Sequence, residues 1–262
     1  MKISFVKYQG AGNDFIMIDG RADDLFELEE SLIIKFCDRK YGIGADGLII
    51  IKNMYSQDFR MFYFNADGKE GSLCGNGARC AVIFAAECGV LFNTHSFVAY
   101  DGVHHFTITD HNRVRISMKE VRHIAQRDNA LLLDTGSPHL VFNVDDDLEN
   151  LNVYETGKKT RYNQEFATNG VNVNYMQIRS DGIRLRTYER GVEQETEACG
   201  TGCVAAAIAR SEWSNSQELN QHYKVITNGG LLEVSFRKEA GGYSGIYLEG
   251  PVVRVFEGSI HI

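Results

Sequence analysis

The strongest constraint in the sequence is an internal repeat. Cys74-Gly75-Asn76-Gly77 and Cys199-Gly200-Thr201-Gly202 lie 125 positions apart. Each runs into a stretch of small apolar residues, AVIFAAECG after Cys80 and VAAAIAR after Cys203. The same offset sets Tyr63 on Tyr188, Asn65 on Arg190, and the alternating run 59–64 on 184–189. Each copy therefore reads as an alternating strand, a polar turn, Cys-Gly-polar-Gly and a helix. A period of 125 in a chain of 262 residues is too long for a solenoid and implies two similar halves. Each half is long enough to bury its own core.

A thiol delivered to the start of a helix sits in a distinctive field. The first backbone N–H groups of a helix have no partner within it, and the macrodipole places partial positive charge there. A sulfur at that place is biased towards thiolate, and a carboxylate can rest on the neighbouring N–H groups. If the halves face each other, the two sulfurs lie on opposite sides of one small ligand. Inverting a stereocentre next to a carboxylate needs such a pair, a base on one face and an acid on the other. Amides at both helix starts would stabilise the enolate-like oxyanion, and no cofactor is required.

Composition limits the alternatives. A net charge of −8 argues against a general nucleic-acid binder, which needs a basic face. No apolar run reaches membrane-spanning length, and MKISFVKYQGAGNDF has no apolar core of a signal peptide, so a cytoplasmic protein with no membrane partner is expected. In that compartment the six cysteines are not a disulfide framework. No Cys-x-x-Cys occurs, so no metal site is expected, and a zinc site made of Cys74, Cys80, Cys199 and Cys203 is the weaker alternative.

Along the chain, strands are expected over 2–8 and 15–19, separated by the glycine-rich turn GAGND that carries Asn13. A helix is expected over 29–39, placing Cys37 in the core. The continuous apolar run 48–51 reads as a buried strand, followed by a strand over 59–64. The helix over 77–88 is apolar nearly all round and should be buried on every side. Strands are expected near 95–100, 104–109 and 113–118. The charged segment 120–129 reads as the crossing between halves, with the boundary near residue 118. Strands then follow over 131–134 and 140–144, with Ser137 and His139 in the turn between them. After a polar helix and loop over 147–163, VNVNYM (171–176) reads as a strand exposing alternate asparagines, and another strand covers 183–189. A helix over 203–212 and strands near 222–227, 230–237, 244–249 and 252–256 close the chain. Many short strands with one long apolar helix per half suit a curled sheet or barrel around that helix.

The stretches GAGNDF (10–15), GIGADG (42–47), FNADG (64–68), CGNGARC (74–80), GSPH (136–139), VNVNYMQ (171–177), YERG (188–191) and ACGTG (198–202) are together specific. Through them the sequence resembles diaminopimelate epimerase over essentially its whole length. The resemblance implies an α+β fold of two pseudo-symmetric domains, each a barrel-like, mostly antiparallel sheet around a central helix. Residues 1–117 with 251–262 would form the half carrying Cys74, and 118–250 the half carrying Cys199. It also implies an isomerase that converts LL- to meso-diaminopimelate without pyridoxal phosphate, in lysine and peptidoglycan precursor biosynthesis. Cys74 and Cys199 would be the acid/base thiols. Gly75, Asn76, Gly200 and Thr201 would hold the carboxylate at the reacting centre. Asn13, Asn65, Ser137, Asn172, Glu189 and Arg190 would line the pocket, and His139 and Glu189 would tune the thiols. Neither metal nor cofactor is implied; a homodimer is.

Four positions depart from the family pattern. Gly47 stands where some members carry a substrate-contacting Gln. Ser137 replaces the Asn of Gly-Asn-Pro-His. The segment GVEQETE (191–197) is one residue longer and more acidic than in common members, which leaves the placement of Glu189 against Cys199 open. Phe256 replaces a tyrosine associated with the dimer contact. Three other readings remain at this point. A proline or hydroxyproline racemase of the same superfamily would typically show Cys-Gly-His-Gly at the first thiol, where this chain has Asn76. A thiol redox protein would normally keep its resolving cysteine close in sequence. A non-catalytic amino-acid binder would need neither thiol.

Overall fold

The computed structural model describes residues 2–21, 28–90, 92–145, 147–214 and 217–261. In chain order its elements are β1 (Lys2–Gly10), β2 (Asn13–Asp19), α1 (Glu30–Cys37), β3 (Gly47–Lys52), β4 (Phe59–Asn65), α2 (Gly75–Glu87), β5 (Ser96–Ala99), β6 (Gly102–Asp110) and β7 (Arg113–Ser117). They continue with β8 (Ile124–Arg127), β9 (Ala130–Asp134), β10 (Pro138–Asn143), α3 (Val153–Arg161), β11 (Asn172–Arg179), β12 (Gly182–Glu189) and β13 (Gln194–Thr196). The last are α4 (Gly200–Ser214), β14 (Asn220–Thr227), β15 (Gly230–Glu239), β16 (Gly242–Pro251) and β17 (Val253–His261). The chain divides into two units, Met1–Ile116 with Gly250–Ile262, and Ser117–Glu249.

In the first unit β17 lies antiparallel to β1, and β1 forms a hairpin with β2. The hairpin turn, Ala11-Gly12, has two successive positive φ values, 52° and 83°. That is the type I′ geometry, whose twist matches the paired strands. β2 and β3 run parallel, β3 and β4 antiparallel, β4 and β5 parallel, and β5, β6 and β7 antiparallel. The amide of Val252, just before β17, donates to the carbonyl of Asn112 in the β6–β7 turn, so the sheet curls back on itself. β3 is buried at every position, as a strand covered on both faces must be. α2 packs on β1 to β4, and its small residues, Ala78, Cys80, Ala81 and Ala85, let the strands come close. The outer face is closed by α1, where Ile33, Phe36 and Cys37 join Ile16, Ile18, Leu48 and Ile50. Burial there pushes the Cys37 thiol up to about 12, so it stays protonated and inert.

The second unit repeats this plan. β8, β9 and β10 are antiparallel, β10 and β11 parallel, β11 and β12 antiparallel, β12 and β14 parallel, and β14, β15 and β16 antiparallel. α4 packs on β9 to β12, β14 and β15, with Cys203–Ala209 buried without exception. α3 covers the outer face with Val153, against Leu140, Val173 and Tyr188. β2 and β10, β3 and β11, and α2 and α4 each begin 125 positions apart, so the repeat seen in sequence is carried by the backbone.

Two expectations are corrected. The charged segment 120–129 is not a plain crossing: it contains β8, which lies antiparallel to β9 as β17 lies to β1. Backbone pairing at a sheet edge needs no apolar side chains, so the charge pattern hid the strand. The asparagines of VNVNYM are not exposed either. Asn172 and Asn174 are both buried, because their face of β11 turns towards His139 and the start of α4.

Candidate active site

Cys74 is the N-cap of α2, with extended φ and ψ of −93° and 111°, and it forms no side-chain capping bond. Its thiol donates to Asn13 Oδ1 at 3.4 Å. Asn76 Nδ2 approaches the same oxygen at 3.5 Å, and Arg79 Nη2 donates to Asn76 Oδ1 at 2.8 Å. Arg79 Nη1 donates to the carbonyl of Gly75 at 3.2 Å. The glycine-rich turn is a hairpin that ends on Asn13, the first residue of β2, and sets that amide against the Cys74 sulfur. The fully buried Arg79 was missed by the sequence reasoning. Its signal was a lone charge inside an otherwise apolar helix.

Asn65 ends β4, where Tyr63 donates to its Oδ1 at 2.8 Å. Gly47 answers the question raised by the missing Gln: a Cβ there would lie 2.6 Å from both the Phe64 carbonyl oxygen and the Tyr63 ring. With Tyr63 in this position no side chain fits at residue 47.

In the second unit Cys199 directly precedes α4, and its carbonyl accepts the amide of Cys203 at 2.9 Å. Its sulfur lies 3.5 Å from Thr201 Oγ1. Burial, and next the charge of Glu189, push the Cys199 thiol well above its ordinary range, against bonds from Thr201 and the Gly202 amide. Cys199 therefore rests as a thiol. Two of the three glutamates in the acidic segment before it are paired with arginines elsewhere in the unit. Glu195 pairs with Arg186 at 2.7 Å, and Glu193 pairs with Arg161 at 3.3 Å and accepts from Tyr188 at 3.2 Å. The longer segment forms the short strand β13, which folds back on β12 so that Thr196 Oγ1 donates to Glu189 Oε2 at 3.0 Å.

Ser137, Asn172 and Arg190 come together. Asn172 donates to Ser137 Oγ at 2.8 Å and accepts the Arg190 amide at 2.8 Å. The Arg190 guanidinium donates to the Asn169 carbonyl at 2.9 Å and to Ser137 Oγ at 3.4 Å. His139 is fully buried, with Asn174 Nδ2 at 3.0 Å from its Nδ1 and Asn172 Nδ2 at 3.4 Å from its Nε2. Burial lowers its pKa to about 3, so it is a neutral imidazole. Asn174, unassigned from the sequence alone, holds the arrangement together: it bonds His139, the Leu140 carbonyl and the Thr187 hydroxyl.

The second glycine of the Cys199 motif is required by packing. A Cβ on Gly202 would stand 2.6 Å from Asn174 Oδ1 and 3.3 Å from the Cys199 sulfur. Since Asn174 is held by several bonds, Gly202→Ala should cost about 1–3 kcal/mol as an overpacked site, read by denaturant unfolding. Gly77→Ala meets only the tip of Ile49, at 2.7 Å, and two atoms of the Phe15 ring beyond 3 Å, and should cost less. Among the described residues no three His, Cys, Asp or Glu side chains are grouped to hold a metal ion, and none of the six cysteines is joined in a disulfide. No helix of the described residues is long and apolar enough to cross a membrane.

Comparison with known proteins gives a consistent picture. The family profile described as "Diaminopimelate epimerase" matches residues 5–124 and 131–255. A diaminopimelate epimerase of Flavobacterium psychrophilum is 45% identical over 255 residues, covering 97% of this chain and 98% of its own. One from Chlorobaculum tepidum is 41% identical over 259 residues, covering 96% and 98%. Among solved structures, a phenazine biosynthesis protein of the PhzF family from Bacillus anthracis superposes with a TM-score of 0.78 at 15% identity, covering all of both chains. A hydroxyproline epimerase from Agrobacterium vitis, with bound trans-4-hydroxy-L-proline, superposes at 0.71 and 12% identity, covering 99% of this chain and 91% of that one. At those identities the structural likeness establishes the fold, an α+β architecture built from two similar halves.

Proposed function

The chain belongs to the diaminopimelate epimerase family, and we propose on that premise that it interconverts LL- and meso-diaminopimelate by acid/base work of Cys74 and Cys199, with no cofactor. One observation carries the reading: each unit presents a cysteine at the start of a buried helix, within a frame of carboxamide and glycine residues. In this reading the units Met1–Ile116 with Gly250–Ile262 and Ser117–Glu249 are the two epimerase halves. One thiol comes from each, and the two act on opposite faces of the substrate α-carbon.

The carboxylate at the reacting centre takes the N–H groups of Gly75, Asn76, Gly200 and Thr201, which belong to first helical turns, where backbone amides point outward to an anion. As a proton leaves the α-carbon, charge builds on that carboxylate and is met by donors already in place. Asn13 and Asn65 line the pocket, and Ser137, Asn172 and Arg190 read the distal amino-acid end. The Arg190 guanidinium has donors beyond the two already used, and its planar fork suits a carboxylate. Ser137, shorter than the family's Asn, fits this role because it already bridges Arg190 and Asn172. Glu189 tunes Cys199 through its charge. His139, neutral and buried, acts through Asn172 and Asn174, which it helps to fix. The pathway would be that of lysine and peptidoglycan precursors, and the compartment the cytoplasm. A homodimer would use β17, where Val253, Val255 and Phe256 stand exposed although Phe256 offers no hydroxyl.

The test is solvent exchange. Purified protein with LL-diaminopimelate in deuterated water should form the meso compound and place one deuterium on the inverted carbon, with no pyridoxal phosphate added. Exchange into proline with none into diaminopimelate would assign the chain to the racemase reading instead.

A further inference from the structure

We propose that Asp46 is a positioning residue for the first thiol: its carboxylate fixes which end of the Asn13 amide faces Cys74, and thereby holds the proton on that sulfur at rest. The argument begins with the amide. An asparagine side chain has a donor end and an acceptor end, and which one faces a neighbour depends on what the other end meets. A carboxylate only accepts. Asp46 Oδ2 lies 2.6 Å from Asn13 Nδ2, so the amine end of Asn13 must point to it. The oxygen end is then turned onto Cys74 Sγ at 3.4 Å. An oxygen in that position accepts an S–H bond and repels a thiolate, whereas an N–H there would do the reverse.

Asp46 is itself held. Its Oδ1 accepts from Arg39 Nη2 at 2.7 Å, and its Oδ2 accepts the Asp14 amide at 3.2 Å. Its own amide donates to the Asp14 carbonyl at 3.0 Å. Arg39 also grips Asp14 through both terminal nitrogens, at 3.0 and 2.7 Å. Lys7 pairs with Asp14 at 2.8 Å and donates to the Gly44 carbonyl. The segment from Arg39 to Asp46 is thus latched to the start of β2, and Asn13 inherits its orientation from that latch. Among the described residues, the charged and titratable groups placed near Cys74 and Asn13 include Lys7, Asp14, Arg39 and Asp46 on this side, and Arg79 and Cys80 on α2. Two cations and two carboxylates balance within the latch, so its influence on the sulfur is carried by the amide orientation.

This inference rests on the proposed function only for its consequence, that Cys74 enters the reaction in its protonated form. Its test needs no substrate, so the two can fail separately. The probe is iodoacetamide, with the alkylation rate of the Cys74 peptide followed by mass spectrometry from neutral to alkaline pH. Asp46→Asn is isosteric but offers an N–H, which lets both amides turn over. Cys74 alkylation at neutral pH should then rise about tenfold, as it would for a thiol that has become about ten times more acidic. Asn13→Ala, which removes the oxygen outright, should also raise it.

A double-mutant cycle separates orientation from simple loss of charge. In the Asn13→Ala background, Asp46→Asn should change the rate by less than about twofold, because there is no amide left to orient. Two results would overturn the proposal: an unchanged rate in the folded Asp46→Asn protein, or the same rise in both backgrounds. The buried Cys37 peptide, which lies under the same latch, serves as the folding control and should stay unmodified in every variant.

Discussion

Serine in place of either Cys74 or Cys199 should abolish net epimerisation while leaving the fold and substrate binding intact. A hydroxyl is far less acidic than a thiol, so serine cannot serve as the base at any pH the protein survives, and it makes a slow proton donor to carbon. Removing one positioned acid or base typically costs about 10²–10⁴ in rate. Here both are needed for every inversion, so each single variant should fall to the bottom of that range or below it. The substitution is small. Cys199 is buried beside Thr201, and serine keeps its volume within one atom and can keep the contact with the threonine hydroxyl. Denaturant unfolding should therefore show little change, while formation of the meso compound from LL-diaminopimelate disappears. Either variant retaining more than about a tenth of the parent rate would break the two-thiol mechanism, since it would mean that one sulfur suffices. If both variants also lost binding of a substrate mimic, the cysteines would be structural instead.

The second large effect is on stability in acid. His139 is fully buried, and its folded pKa of about 3 lies below the ordinary value near 6.5. The cause is burial first. The Asn174 bond and the charge of Asp134 oppose it, and the charge of Arg190 adds to it. Between those two values the unfolded chain holds a proton on this ring and the folded chain does not. Stability must therefore rise with pH through that window and fall as the solution is acidified. A full proton of difference is worth about 1.4 kcal/mol per pH unit, so the cost accumulated down to pH 3 approaches about 5 kcal/mol, a large share of what a domain possesses. Asp14 and Glu149, whose carboxyls are both held down to about 2, lose their own stabilisation as pH falls, but only below the ordinary carboxylate range. Between pH 6 and 5 the histidine should dominate. His139→Gln keeps polar ends for Asn172 and Asn174 and carries no proton in this range. Urea unfolding of the two proteins at pH 6 and pH 5 should give a steeper loss for the parent, by up to about 1.4 kcal/mol over the unit. Parallel losses would mean that the ring finds a charged, solvated state in the fold.

Much of this site could be read in the chain itself, and the exceptions have physical causes. Cys74 and Cys199 were legible because Cys-Gly-polar-Gly before a run of alanines can hardly be anything but a loop entering a buried helix, and α2 and α4 begin at Gly75 and Gly200. Ser137, Asn172 and Arg190 were named from resemblance, and all three meet within the second unit. Arg79, Asp46 and Asn174 were not found. Each is a polar residue whose worth lies in what it holds: Asn76, Asn13 and His139 respectively. Arg79 stood out only as a lone charge in an apolar helix, and nothing in composition or spacing tells Asp46 or Asn174 from an ordinary surface side chain until their partners, 33 and 35 positions away, are seen beside them.

The sequence by itself determined the twofold plan, the family, the helix starts and the two sulfurs, because these depend on local pattern repeated along the chain: hydrophobic period, glycine at a close approach, a constant offset. Only the tertiary structure decided which end of Asn13 faces Cys74, that His139 is neutral, and that the charged stretch after residue 118 contributes a strand. Those outcomes follow from burial and hydrogen-bond partners brought together across the fold, and they are absent from any window of neighbouring residues.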